Sequence, residues 1–177
     1  MNWEKTYAQR AAHFFQKAAA EAYSENVIAN IAADYYTKAG RFYVMDKNEW
    51  SAAYAYEKAA MWYLEDGDVS ECCNHLLIAA RCLMRINTSN EKGRMDEKLV
   101  ELCQKAATFS ADLNRPEDCA SAYQALAVYY EKTKQYQLSS ILYEKVTIQY
   151  KKGEYFALAS QSAEKTKEMH SLFTSNE

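Results

Sequence analysis

Three histidines, five cysteines and a spaced set of basic residues are where this chain of 177 residues could hold chemistry. His13, His75 and His170 stand far apart, and none belongs to a His-Glu-x-x-His run, which sets two imidazoles on one helical face around a metal. Cys72 and Cys73 precede His75, and on a helix the i, i+3 spacing brings Cys72 alone close to it. Two neighbouring ligands do not make a metal site, so a buried cysteine beside a surface histidine is expected there, with no metal and no thiol nucleophile. Cys72, Cys73, Cys82, Cys103 and Cys119 form an odd set with no Cys-x-x-Cys pair, the usage of reduced, buried thiols in the cytoplasm. With four glycines in all, no Gly-rich run is present to cradle a phosphate. The chain is expected not to be an enzyme, with no catalytic residue and no cofactor.

Ion pairing is the other chemistry on offer. Arg41, Arg81, Arg85 and Lys132 recur along the chain, and Arg81 and Arg85 are i, i+4 neighbours. Guanidinium forks match carboxylates, so these residues would receive an acidic helical or extended segment of a protein if the fold gives them one surface. Against this stands a solvated face whose arginines pair with Asp34 or Glu57.

What positions them must be helical. Hydrophobic residues make up 49% and charged residues 25%, as in ordinary globular domains, while one proline and four glycines leave little punctuation for tight β-turns. Turn signals cut the chain into eight expected helices, near Asn2–Tyr23, Val27–Asp46, Glu49–Glu65, Val69–Ile86, Met95–Leu113, Pro116–Lys134, Tyr136–Lys152 and Tyr155–Phe173. Asp68 and Glu71 have the spacing of a capping box, and Pro116 suits a first helical turn. Gly67, Gly93 and Gly153 fall in or beside expected loops, whereas Gly40 lies inside a helix and calls for a close helix–helix contact.

An internal repeat organises these helices. Tyr36, Ala39, Gly40 and Tyr43, then Ala52, Tyr56 and Ala59, share every offset with Tyr123, Leu126, Ala127 and Tyr130, then Ser139, Tyr143 and Val146. A third copy runs Leu76, Ala79, Ala80 and Leu83, and its second half (Leu99, Cys103, Ala106) arrives seven residues late, after the polar stretch Asn87–Arg94, read as a lengthened loop. Large residues beside small pairs let helices approach, and a single pair cannot bury its face alone, so pairs must stack. The expected fold is therefore an all-α, right-handed stack of antiparallel helix pairs forming one domain over 1–177. Its parts are a capping helix at 2–23, pairs at 27–65, 69–113 and 116–152, and a closing helix at 155–173. That last helix should turn Tyr155, Ala159, Ser162, Thr166 and Phe173 inward, and Glu164, Lys165, Lys167 and Glu168 to water.

The seven-place pattern resembles the tetratricopeptide repeat. Within that superfamily, Asn48-Glu49-Trp50-Ser51-Ala52-Ala53 followed by Ala55-Tyr56 and Ala59-Ala60 is similar to a stretch of the soluble attachment proteins of vesicle fusion, the SNAPs. Tyr36, Ala39 and Phe42 match the spacing of the helix before it. The resemblance implies a non-catalytic adaptor in vesicle transport that lies along a SNARE-type helical bundle and recruits a disassembly ATPase. Against the family's pattern, the chain is little more than half the usual length, Ser24-Glu25-Asn26 stands where an apolar loop would be expected, and the residues up to Glu177 are not expected to supply the family's helical C-terminal domain. In a stacked arrangement the first helix of each pair lines the concave face, which places Arg41, Arg81, Arg85 and Lys132 there. Tetratricopeptide proteins that clamp a peptide carboxylate use Lys and Asn where this chain has Thr37, Arg41, Leu77, Arg81, Gln124 and Val128, so chaperone-tail binding is not expected.

A net charge of −3 argues against nucleic acid as a partner. No run of roughly 18 apolar residues exists to span a bilayer, and Met1-Asn2-Trp3-Glu4-Lys5 does not open a signal peptide, so membrane contact is at most peripheral. A cytoplasmic monomer with a transient protein partner is one reading. The alternative is a scaffold subunit of a hetero-complex that shares only the fold.

Overall fold

The computed structural model of the protein describes residues 6–22, 28–86 and 92–175, and every regular element in them is an α-helix. In chain order these are α1 (Tyr7–Ala22), α2 (Ala29–Met45), α3 (Glu49–Glu65), α4 (Val69–Leu83), α5 (Lys92–Asp112), α6 (Pro116–Lys132), α7 (Tyr136–Lys152) and α8 (Phe156–Thr174). The chain divides into two compact units, residues 1–96 and 97–177. In the first, α1 packs on α2, α2 on α3 and α3 on α4; in the second, α6 packs on α7 and α7 on α8.

The helix bounds follow local chemistry. Asn48 and Asp68 cap α3 and α4, their side chains accepting from the N–H groups of Ser51 (3.1 Å) and Glu71 (3.0 Å). Only this half of the expected capping box forms. The Asp68 N–H already donates to the Tyr63 carbonyl (2.8 Å), which leaves the Glu71 carboxylate free to face His75.

Five turns share one hydrogen-bonding scheme. Lys47, Gly67, Asn114, Lys134 and Glu154 all adopt positive φ, and the N–H after each reaches back to a carbonyl in the preceding helix, as Gln135 does to Tyr130 at 2.8 Å. This is the Schellman ending, which satisfies carbonyls the last helical turn would leave bare. It accounts for α6 stopping at Lys132, short of the expected Lys134. It also places Tyr155 in the turn, 40% exposed, not on the inner face of α8. The region read as a loop over Asn87–Arg94 is shorter at its far end, since α5 begins at Lys92 and takes in Gly93. Residues 87–91, like Ser24-Glu25-Asn26 and the ends of the first expected helices, lie outside the described residues.

The repeat positions make the core. Tyr36, Ala39, Ala52, Tyr56 and Ala59 are buried in the first unit, and Leu126, Ala127, Ser139, Tyr143 and Val146 in the second; Tyr43, Tyr123 and Tyr130 are half-buried. Gly40 makes the close contact its place predicts: a Cβ there would sit 2.9 Å from Tyr56 Cζ. On α8, Ala159 and Ser162 turn inward as expected, joined by Met169 at 1% exposure. Lys165 does not simply face water; its ammonium pairs with Glu131 at 3.3 Å and Glu168 at 2.9 Å.

Candidate protein-binding face

Arg41, Arg81 and Arg85 belong to the first unit and are all exposed. Arg41 lies on α2 and Arg81 at the same repeat place on α4, with Arg85 just beyond that helix's end. Their carboxylate partners are not the expected ones. Asp34 is held by Lys38 at 3.3 Å, and Arg85 meets Glu49 at 3.8 Å, with 58% of the arginine side chain still exposed. Arg41 and Arg81 make no ion pair among the described residues.

Beneath the arginines the face is anchored by buried polar groups. The Tyr56 phenol is pushed up in pKa by burial and then by the Cys82 thiol, while Arg41 and Arg85 draw it down. Arg41 also acts electrostatically on His75, lowering its pKa as it lowers that of Tyr56. His75 is 5% exposed, contrary to the surface position expected of it. Its Nδ1 lies 2.9 Å from the Glu71 carbonyl, which can only accept, so the neutral ring carries its proton on Nδ1. The Thr37 hydroxyl lies 2.9 Å from Nε2 and 2.9 Å from the Ala33 carbonyl, sharing its one proton between these two acceptors, and ties α4 to α2. The Tyr63 ring stands 4.8 Å away. Burial holds the imidazole below its ordinary pKa, against the raising pull of the Glu71 backbone and carboxylate. Thr37 and Leu77, two of the clamp places, are each 8% exposed and not available to a peptide. Cys72 beside His75, together with Cys82 and Cys103, is pushed up to about 12 by burial, which keeps the thiols protonated and unreactive. Among the described residues no group of three His, Cys, Asp or Glu side chains is placed to hold a metal ion, and no helix is long and apolar enough to cross a membrane.

Lys132 belongs to the second unit and lies exposed at the end of α6. It lines a shallow groove of about 380 Å³ with Val128, Glu131, Tyr136, Met169 and Leu172. Nothing in the sequence pairs Glu131 with Lys165, 34 residues later, yet the two meet at 3.3 Å between α6 and α8. A second groove of about 390 Å³, shared by α6, α7 and α8, is lined by Gln124, Tyr143, Tyr150, Leu158 and Gln161, among others. The Tyr143 hydroxyl donates to Glu131 at 2.9 Å, joining the floors of the two grooves. Sequence reasoning singled out Lys132 for its charge and missed the grooves, because each needs side chains that only the tertiary fold brings together.

Stacked helix pairs with a large–small packing register define the class: a helical-repeat protein. The model of the family "Soluble NSF attachment protein, SNAP" matches residues 5–175, and the chain belongs to that family of non-enzymatic adaptors. Among solved structures, the crystal structure of BtubC (BKLC) from P. vanneervenii is similar, with a TM-score of 0.58 and 14% identity over 97% of this chain and 76% of that one. At that identity the likeness is one of fold. No curated protein matches the chain.

Proposed function

We propose that this protein is a cytoplasmic adaptor of vesicle traffic whose arginine face holds an acidic helical or extended segment of a SNARE-type partner. One observation carries the reading. Three exposed guanidinium groups follow successive first helices of a repeat, Arg41 on α2, Arg81 on α4 and Arg85 just past its end, and among the described residues only Arg85 is paired with a carboxylate, at the long distance of 3.8 Å. Family membership supports a protein partner. Lys132, beside an apolar groove floor of Val128, Met169 and Leu172, supplies a further basic contact in the second unit.

Exposed charge pairs contribute about 0.2–1 kcal/mol each, so the face works by number and orientation, and binding through it must weaken with salt. The test is a pull-down of an assembled SNARE bundle by the intact protein and by an Arg81→Glu, Arg85→Glu variant at low and physiological salt. Two reversals should weaken binding by roughly tenfold or more, the equivalent of about 1.4 kcal/mol. Equal recovery by both forms, or none by the intact protein, would overturn the proposal. Recovery by both forms of one large complex without SNAREs would point to a scaffold subunit instead.

A further inference from the structure

The outer face of α7 is a mixed row that packing does not explain. Leu138, Ile141, Lys145, Ile148 and Lys152 follow one another at steps of three and four and occupy about a quarter of the helix circumference. All five are exposed, the aliphatic three by 42%, 47% and 47% in chain order. The buried side of α7 is formed by other side chains, among them Leu142, Tyr143, Val146 and Tyr150. Lys145 lies across the row with its ammonium 5.3 Å from the centre of the Tyr123 ring, which keeps the charge close to the surface, between the aliphatic residues.

The repeat shows that this arrangement recurs. At the same outward places α3 carries Tyr54, Lys58 and Met61, with Tyr54 49% and Met61 38% exposed, and Lys58 5.5 Å from the Tyr54 ring. At those places α5 has Glu101, Lys105 and Thr108, and Lys105 pairs with Glu101 at 2.6 Å. A lysine therefore occupies this place on the second helix of every pair. Where α5 gives it a carboxylate one turn earlier, α7 gives it Ile141. Buried places recur because packing demands them; an exposed apolar–lysine–apolar spacing has no such cause.

We infer that the outer face of α7 docks an acidic amphipathic helix of a protein partner. Its aliphatic residues lie on Leu138, Ile141 and Ile148, and its carboxylates meet Lys145 and Lys152. The row runs about 21 Å at 1.5 Å per residue, the length of about four helical turns, which suits a rod laid along α7. Glu101 on α5 shows the pairing such a carboxylate makes with this lysine. A bilayer fits less well, because Lys145 would enter it between aliphatic side chains with no counter-charge at that depth. A two-fold contact with a second copy fits less well too, since it sets Lys145 and Lys152 against the same lysines.

The experiment titrates the full chain into a fluorescent, helix-stapled peptide of about 18 residues with leucines at i, i+3 and i+7 and glutamates between them. Binding is expected, and it should fall at least tenfold for the Ile141→Ser, Ile148→Ser variant and for Lys145→Glu, with circular dichroism and unfolding unchanged. A peptide with lysine in place of glutamate should not bind. In the Arg81→Glu, Arg85→Glu background, which removes the contribution of the arginine face, the acidic peptide should still bind and should still lose at least tenfold on Lys145→Glu, which separates the two faces. No binding, or binding lost only in the arginine variant, overturns the inference. So does adsorption to phosphatidylserine vesicles that these α7 substitutions abolish, or a dimer in sedimentation that Ile141→Ser dissolves.

Discussion

The pair α2–α3 and its counterpart α6–α7 keep the same packing register but close it by different means. In α2–α3 the contact places are Gly40 and Ala52, and the helices meet by omission of atoms, with the Tyr56 ring only 2.9 Å from where a Cβ of residue 40 would be. In α6–α7 the same places are Ala127 and Ser139, and the Ser139 hydroxyl donates to the Ala127 carbonyl at 2.9 Å. Ser162 continues the stitching to α8 by donating to the Tyr143 carbonyl, also at 2.9 Å. The register thus fixes only where large and small residues fall, and each unit chooses its own bonding. The surfaces differ accordingly. One unit presents arginines over a buried histidine; the other presents grooves floored by Tyr143, Glu131 and Lys165.

The largest way to break the comparison is at His75, whose place on the first unit has no polar equivalent in the second. His75→Ala removes two hydrogen bonds and leaves a hole between Thr37, Tyr63 and Glu71, and should cost about 3 kcal/mol in denaturant unfolding. The sign of the pH dependence follows from the direction of the shift. The folded imidazole takes up a proton less readily than the unfolded one, whose ordinary value is 6.5, so the unfolded chain gains more protons as pH falls. Stability is complete above that value and declines below it, through the lower folded pKa. The groups facing the ring are Glu71 on its own helix, Asp34 and Arg41 on α2, and Tyr56 and Tyr63 on α3. Thermal unfolding from pH 7.5 to 5.5 should show this decline in the native chain and a flatter profile in His75→Gln. Identical profiles would mean that the ring stays neutral in both states or is charged in both.

Much of this molecule was legible in the residues. The large–small spacing at Tyr36, Gly40 and Tyr56 marks burial, because a packing register repeats only where helices touch. His75 was misplaced because its burial depends on Thr37, 38 residues away on another helix, and no local pattern reports that. Arg41, Arg81 and Arg85 were correctly read as exposed, since they fall between packing positions, but the partner of Arg85 was not. Glu49 opens α3 and reaches across to the end of α4, a contact that needs the tertiary fold. The turns fell where they were expected, but the residues that make them did not announce themselves. Glycine is the usual marker of a left-handed helix end, and four of the five use Lys, Asn or Glu.

A smaller effect is expected at the contact between the paired helices. Gly40→Ala should gain about 1 kcal/mol in helix propensity and lose more, because the added Cβ meets the buried Tyr56 ring at 2.9 Å. The net expectation is a loss of about 1 kcal/mol. Ala127→Gly, the reverse change in the second unit, should also lose about 1 kcal/mol, here from the helix backbone alone, since Ser139 keeps its acceptor. Equal but opposite effects of the two substitutions would mean that the pairs share one packing solution after all.

The smallest effects should come from the turns, where the two units are most alike. A side chain in the left-handed region costs about 1–2 kcal/mol, and glycine avoids that cost but loses about 0.5–1 kcal/mol in unfolded-state freedom. Lys134 has φ of 60° and its side chain makes no ion pair among the described residues, so Lys134→Gly should gain about 0.5–1 kcal/mol. Gly67, at φ of 83° with open space around its missing Cβ, should lose a similar amount on Gly67→Ala, since strain and not crowding opposes the methyl group. Both are read from the urea midpoint at constant slope. A gain at 134 with a matching loss at 67 would show that the turns are interchangeable parts, set by backbone geometry in either unit. No gain at 134 would mean that the lysine side chain contributes to its own turn, and that the likeness of the two units ends at the hydrogen bonds.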